Sequence, residues 1–135
     1  MDLKRILVPV DGSENSKRAF NFARRIARQT GSQLIVLNVI DGRAYDRAPS
    51  EAMEGAKQLI HTHVSEAKKN GIMARGEAIR PGASIVRRIV EYAKQKRVDL
   101  IVMGTRGLGG FRKLLLGSVS SGVVSHAHCA VTVVR

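Results

Sequence analysis

The sequence contains no tryptophan, only three prolines and a single cysteine, and aromatic residues make up 4% of its 135 positions. A core with so few aromatic rings must be built from Ile, Val, Leu and Ala. The one cysteine, Cys129, cannot form an internal disulfide, which agrees with a reducing compartment. No apolar run is long enough to cross a bilayer, and the first residues lack the layout of a signal peptide. We therefore expect a cytoplasmic protein without a membrane partner.

Acidic residues are also scarce. Eleven Asp and Glu stand against 23 Lys and Arg, which gives a formal net charge of +12. Such an excess favours polyanionic partners, with nucleic acid among them. The alternative is a solvated basic surface, because the cations are spread along two predicted helices. Hydrophobic and charged contents of 44% and 25% are typical of a globular chain, and we predict one domain over residues 1–135.

Predicted strands and helices alternate along the chain. Nearly continuous apolar runs predict strands buried on both faces at 4–10, 34–40 and 99–103, with further strands at 73–79 and 130–134. Amphipathic patterns predict helices at 14–30, 50–70 and 84–96, a short helix at 119–127, and a polar loop at 41–49. This alternation predicts an α/β fold with a single doubly wound five-stranded parallel sheet, order 3-2-1-4-5, and helices on both faces.

A glycine-rich turn follows the third strongly apolar strand. It comprises Gly104-Thr105-Arg106-Gly107, and Gly117-Ser118 follows at the start of a predicted helix. Glycines let the backbone approach a ligand closely, and N–H groups of a turn and of a helix N-terminus bind anions. In an open α/β sheet the ligand lies at the carboxyl ends of the strands, where the strand order reverses. The turn should therefore face residues 9–13 across a phosphate-binding crevice.

The chain resembles the universal stress protein family, in the adenine nucleotide alpha hydrolase-like group. The matching segments are residues 6–13 (ILVPVDGS), 98–107 (VDLIVMGTRG) and 117–120 (GSVS). The pattern G-x2-G-x9-G-[ST], which marks ATP-binding members, is complete here. The family often has a proline after the cysteine near the chain end, whereas Ala130 follows Cys129 here.

The resemblance implies roles for individual residues. It implies that Pro9, Val10 and Asp11 contact the nucleoside. It also implies that Val39 or Ile40 forms a wall of the adenine pocket. The resemblance also implies that Met103 and Gly104 lie beside the adenosine. The phosphates are implied to contact Arg106, Gly107, Gly117, Ser118, Val119 and Ser120. The implied ligand is ATP, with ADP or AMP as alternatives, accompanied by Mg²⁺ or Mn²⁺. From the residues alone, Asp11 can also cap the first helix, and Ser118 and Ser120 can donate hydroxyl hydrogen bonds.

No Walker A lysine and no general base beside the phosphates can be identified, so the chain is at most a slow ATPase. The expected function is an ATP-binding stress or signalling module, in which ATP fixes residues 107–117 and alters a surface that a protein partner recognises. The alternative is a basic nucleic-acid-associated protein with a vestigial or regulatory nucleotide site. His126, His128 and Cys129 lack a fourth ligand at a fixed spacing, which favours a structural role over a metal site.

The last predicted strand, Ala130 to Val134, contains neither charge nor proline. A strand of this kind at a sheet edge is a template for another strand. Two copies related by a two-fold axis would pair it antiparallel, as in dimers of the resembled family. We therefore predict a homodimer through this strand.

Overall fold

The computed structural model describes residues 2–105 and 116–135. Its elements follow the predicted alternation, with one addition. They are β1 (Arg5–Pro9), α1 (Glu14–Thr30), β2 (Gln33–Val39), α2 (Gly42–Arg47), α3 (Pro49–Lys69), β3 (Ala74–Ile79), α4 (Ile85–Gln95), β4 (Leu100–Gly104), α5 (Ser118–His126) and β5 (Ala130–Val134).

The five strands form one sheet in the order β3-β2-β1-β4-β5, and every pairing is parallel. This confirms the predicted order 3-2-1-4-5. The strand order reverses between β1 and β4, whose register places Ile6 opposite Leu100 and Leu7 opposite Ile101. The carboxyl ends of these two strands therefore define the rim on which a ligand site is expected.

Two helical layers cover the sheet. Alternate strand residues such as Ile6, Val8 and Val36 pack in the same cluster as α1 and α3 residues, whereas Leu7, Ile35 and Ile101 pack with α4 and α5 residues. Burial on both faces explains the nearly continuous apolar runs of β1, β2 and β4. Helices α1 and α3 contact each other through an edge-to-face pair of Phe20 and His63, whose ring centroids are 4.6 Å apart.

Helix boundaries follow local hydrogen bonds. Ser13 caps α1 by accepting from the backbone N–H of Ser16, and Gly31 ends the helix in the left-handed region at φ 74°. Ser84 likewise caps α4 by accepting from Arg87 N–H at 3.0 Å. The polar loop predicted at 41–49 is wrong in part, because Asp41 accepts from Arg43 N–H and starts the six-residue helix α2.

None of the helices in residues 2–105 and 116–135 combines the length and the apolarity needed to cross a bilayer.

Candidate functional site

A cavity of about 130 Å³ opens at the carboxyl ends of β1, β2 and β4, next to the first turns of α1, α4 and α5. Its walls are largely apolar, with one carboxylate and two hydroxyls among the described lining residues. These residues are Pro9, Val10, Asp11, Ser16, Val39, Ile85, Met103, Gly104, Val119 and Ser120. The cavity is therefore at the point of strand-order reversal, where the sequence predicts a crevice.

Most of the predicted contact residues that the structure describes come together there. Pro9, Val10, Asp11, Val39, Met103, Gly104, Val119 and Ser120 all line the cavity. Ile40 is not among the lining residues; it is buried, and its N–H donates to Ile79 O at 3.0 Å. Gly117 and Ser118 lie at the start of α5 but outside the cavity lining. Arg106 and Gly107, predicted to contact phosphate, lie outside the described residues.

Two lining residues, Ser16 and Ile85, are missing from the sequence prediction. Ser16 lies in the first turn of α1, and Ile85 opens α4 directly after its cap Ser84. Helices that follow parallel strands begin at the rim where those strands end. The capping serines Ser13 and Ser84 mark where these helices begin. Residues in the first turn after each cap could therefore have been predicted to line the cavity.

Asp11 holds the turn between β1 and α1 as well as lining the cavity. Its Oδ1 accepts from Ser13 N–H at 2.9 Å, while its own N–H donates to Ser16 Oγ at 3.2 Å. Ser13, rather than Asp11, is the cap of α1. The Asp11 carboxylate is thereby fixed against the cavity without being fully buried. A carboxylate oriented by backbone N–H groups is suited to accept further bonds from hydroxyl or amino groups.

Gly104 permits the close packing of α1 on β4. A Cβ placed there would lie 2.2 Å from Asn15 Oδ1 and 3.1 Å from Asn15 O. The Asn15 side chain is buried, donating to Val134 O at 3.3 Å and accepting from Thr105 Oγ1 at 3.4 Å. Gly104 therefore allows α1 to pack closely against β4 and β5, besides letting the backbone approach a ligand.

The hydroxyl of Ser120 donates to Gly104 O at 2.6 Å. A serine hydroxyl has one hydrogen to donate, so in this arrangement Ser120 has none left for a phosphate. A donor role of Ser120 toward phosphate would require this bond to Gly104 O to be given up, so that role stays a prediction, as does the donor role of the exposed Ser118. Gly117 N–H donates to Thr105 O, which connects the start of α5 to the end of β4.

Residues away from this rim have local roles. Asp99 lies at the opposite end of β4 and accepts from Lys4 N–H at 2.8 Å and Arg5 N–H at 2.9 Å. Partial burial alone would raise its pKa, but these N–H donors and the adjacent Lys4 and Arg5 charges lower the pKa below its usual value. His126 Nδ1 contacts Gly122 O at 2.9 Å within its own helix. No group of three metal-ligating side chains occurs among residues 2–105 and 116–135.

Comparison with known proteins gives a consistent family. The family model described as the universal stress protein family matches residues 2–135. A universal stress protein of Methanocaldococcus jannaschii is 35% identical over 139 residues, spanning 98% of this chain and 82% of that protein.

Solved structures with the same fold include nucleotide complexes. Universal stress protein UspA of Lactobacillus plantarum superimposes with a TM-score of 0.88 at 31% identity, covering 100% of this chain and 99% of that one. The universal stress protein of Archaeoglobus fulgidus in complex with dAMP gives a TM-score of 0.80 at 26% identity, with 100% of both chains covered.

Proposed function

Because this chain belongs to the universal stress protein family, we propose that it binds an adenine nucleotide, ATP in particular, in the cavity at the ends of β1 and β4. It acts there as a nucleotide-dependent stress or signalling module in the cytoplasm, with weak or no ATP hydrolysis. The A. fulgidus relative that holds dAMP supports the choice of an adenine nucleotide.

One observation carries the proposal: residues from three separate segments, each implied by the family resemblance to contact the nucleoside, converge on a single cavity. Val10, Val39, Met103 and Ile85 provide apolar walls of the kind that suit a planar base. The Asp11 carboxylate supplies an acceptor for ribose hydroxyls. At about 130 Å³ the described cavity is smaller than a site for a whole drug-sized ligand, so only part of the nucleotide, which we take to be the base end, would lie inside it.

The phosphates would then extend toward the start of α5. Gly104, Gly107, Gly117 and Ser118 provide the complete G-x2-G-x9-G-[ST] pattern. The nine-residue helix α5 begins at Ser118 with Gly117 as its cap, so its first N–H groups and dipole favour an anion there. Asp11 is the one carboxylate among the described cavity residues, so a divalent cation would rely mainly on phosphate oxygens.

The residues that line the cavity also lead us to expect weak or no ATP hydrolysis. A general base must reach the attacking water, and the described cavity lining offers Asp11 as its only titratable side chain. We place that carboxylate at the ribose, away from the terminal phosphate.

Calorimetric titration with ATP, ADP and AMP tests the proposal, together with mass spectrometry of small molecules released from the purified protein. Asp11→Ala should weaken ATP and AMP alike by about 10- to 150-fold, since a hydrogen bond to a charged group contributes roughly 1.5–3 kcal/mol. Asp11→Asn keeps an oxygen for Ser13 N–H, removes the charge and replaces the second acceptor oxygen with an NH2 donor.

Asp46→Ala is the matched control, because it removes an exposed carboxylate of the nearby helix α2 that does not line the cavity. It should leave nucleotide affinity unchanged. A loss confined to ATP in the Asp11 variants would instead place Asp11 on a phosphate-bound cation. Wild-type protein that binds none of the three nucleotides would refute the proposal.

We also propose that the protein is a homodimer through β5. This strand pairs with β4 on one side, and its other side contacts no strand of the described chain. Val131, Thr132, Val133 and Val134 are only half-buried, so a second copy would cover apolar surface.

A further inference from the structure

The outer face of α1 is strongly basic. Its inner face packs into the core through Ala19, Phe20, Ala23 and Ala27. Three arginines, Arg18, Arg25 and Arg28, are exposed on the other side of the helix, and we refer to them as the α1 ridge. Their spacing of seven and three residues keeps them near one another on the helix surface. Glu14, in the first turn, is the only acidic residue of α1.

The charge of the ridge is poorly compensated within the fold. Glu14 forms its ion pair with Lys17, and Glu66 of the neighbouring helix α3 forms one with Arg24. Arg18 Nε donates to the Arg135 carbonyl at 3.1 Å. Within residues 2–105 and 116–135, no ion pair involves Arg25 or Arg28.

We propose that the α1 ridge binds the phosphate backbone of a nucleic acid duplex without sequence preference. The ten helical steps from Arg18 to Arg28 span about 15 Å at 1.5 Å per residue. That length covers about four phosphates of one strand at 3.4 Å each along the duplex axis. Arginine suits this ligand, because its planar guanidinium can donate two parallel hydrogen bonds to one phosphate.

The surroundings of the ridge favour a duplex over other acidic partners. The exposed large hydrophobic residues of the described chain are Met73, Ile85 and Val124, and none of them lies on α1. Membrane-surface helices need an apolar face that enters the lipid, and the cores of protein interfaces combine arginine with aromatic residues and methionine. Single-strand binding relies on exposed aromatic rings for base stacking, which α1 does not offer, since Phe20 and Phe22 pack in the core.

The ridge is separate from the nucleotide cavity. Among α1 residues only Ser16, in the first turn, lines that cavity, and the ridge runs from the next turn toward the opposite rim. Duplex binding and nucleotide binding should therefore be independent. The outcome of the duplex experiment does not depend on whether the cavity binds ATP.

The test is fluorescence anisotropy with a labelled 20-base-pair duplex of arbitrary sequence, between about 50 and 200 mM salt. The ridge variant combines Arg18→Gln, Arg25→Gln and Arg28→Gln. Its matched control combines Arg75→Gln, Arg87→Gln and Lys94→Gln, which removes the same charge from exposed residues on the α4 side. The ridge variant should bind at least about tenfold more weakly, and its log–log salt slope should fall by about 2.7 for three lost phosphate contacts.

The control variant should stay within about twofold of wild type, and saturating AMP should not displace the duplex. Each single variant, Arg25→Gln or Arg28→Gln, should reduce the slope by about 0.9, which tests the proposal even if the triple variant unfolds. Equal losses in both triple variants would overturn it, because binding would then follow net charge alone. The proposal would also be overturned if the wild-type protein did not bind the duplex at low salt, or if AMP displaced the duplex. Ridge-dependent binding to phosphatidylserine vesicles without duplex binding would overturn it as well.

Discussion

A single methyl group added at Gly104 should destabilise the fold, because Asn15 occupies the space that the methyl needs. The new Cβ would lie 2.2 Å from Asn15 Oδ1 and 2.8 Å from its Cγ, so the amide must move. That amide is buried between α1, β4 and β5, where it donates to Val134 O and accepts from Thr105 Oγ1. Moving it breaks the hydrogen bonds to Val134 of β5 and to Thr105, the residue after β4.

The expected cost of Gly104→Ala is about 3–5 kcal/mol of unfolding free energy. Two neutral hydrogen bonds contribute about 1 kcal/mol each, and forcing a methyl into a packed site costs about 1–3 kcal/mol more. In an Asn15→Ala background the same change should cost far less. The remaining obstacle is then the Asn15 backbone oxygen, at 3.1 Å from the new Cβ.

Urea unfolding at one fixed protein concentration measures the effect, since a dimer's stability depends on concentration. Gly55→Ala in α3 is the matched control, because nothing lies within 4 Å of a Cβ there. It should be neutral or stabilise by up to about 1 kcal/mol. A Gly104→Ala protein with the wild-type urea midpoint and slope would refute the reasoning, as would an equal cost in the Asn15→Ala background.

Three further predictions concern other parts of the molecule. Gly117→Val should weaken ATP binding by at least ~2 kcal/mol in calorimetry while the circular dichroism spectrum is kept, because a side chain blocks backbone approach to phosphate. Thr132→Pro should yield a monomer in light scattering, because it removes a donor from β5, and a dimer of unchanged affinity would contradict the assembly proposal. The lowered pKa of Asp99 stabilises the fold above the ordinary carboxyl pKa, and this stabilisation is lost as pH falls below about 4. Asp99→Asn should flatten that part of the acid unfolding profile measured in urea.

The sheet could be predicted well because its central strands are buried on both faces. Continuous apolar runs such as Ile6-Leu7-Val8 leave few alternatives to a parallel sheet between two helical layers, and the structure confirms the order. The bounds of α1 were also predictable, since Ser13 and Gly31 have the side-chain and backbone properties of caps. The short helix α2 was not, because six residues are too few for an apolar period and only the Asp41 cap marks it.

The candidate site shows a different limit. Residues at strand ends, such as Asp11 and Met103, could be assigned because strand ends of a parallel sheet share one rim. The contact between Gly104 and Asn15 could not, because it depends on how closely α1 packs on β4. Ser120 was assigned to phosphate from its position in a motif, but only the fold brings the Gly104 carbonyl within its reach.

The two edges of the sheet differ in a way that limits how many copies can join. The edge strand β3 has exposed charges at Arg75 and Glu77, whereas β5 has none from Ala130 to Val134. Charged residues on an edge discourage pairing with another chain. If the dimer proposed through β5 forms, it uses the uncharged edge of both molecules and leaves only the charged β3 edge on each. We expect assembly through the sheet to stop at two copies, so that even a crowded, highly expressed protein would not extend into β-sheet filaments.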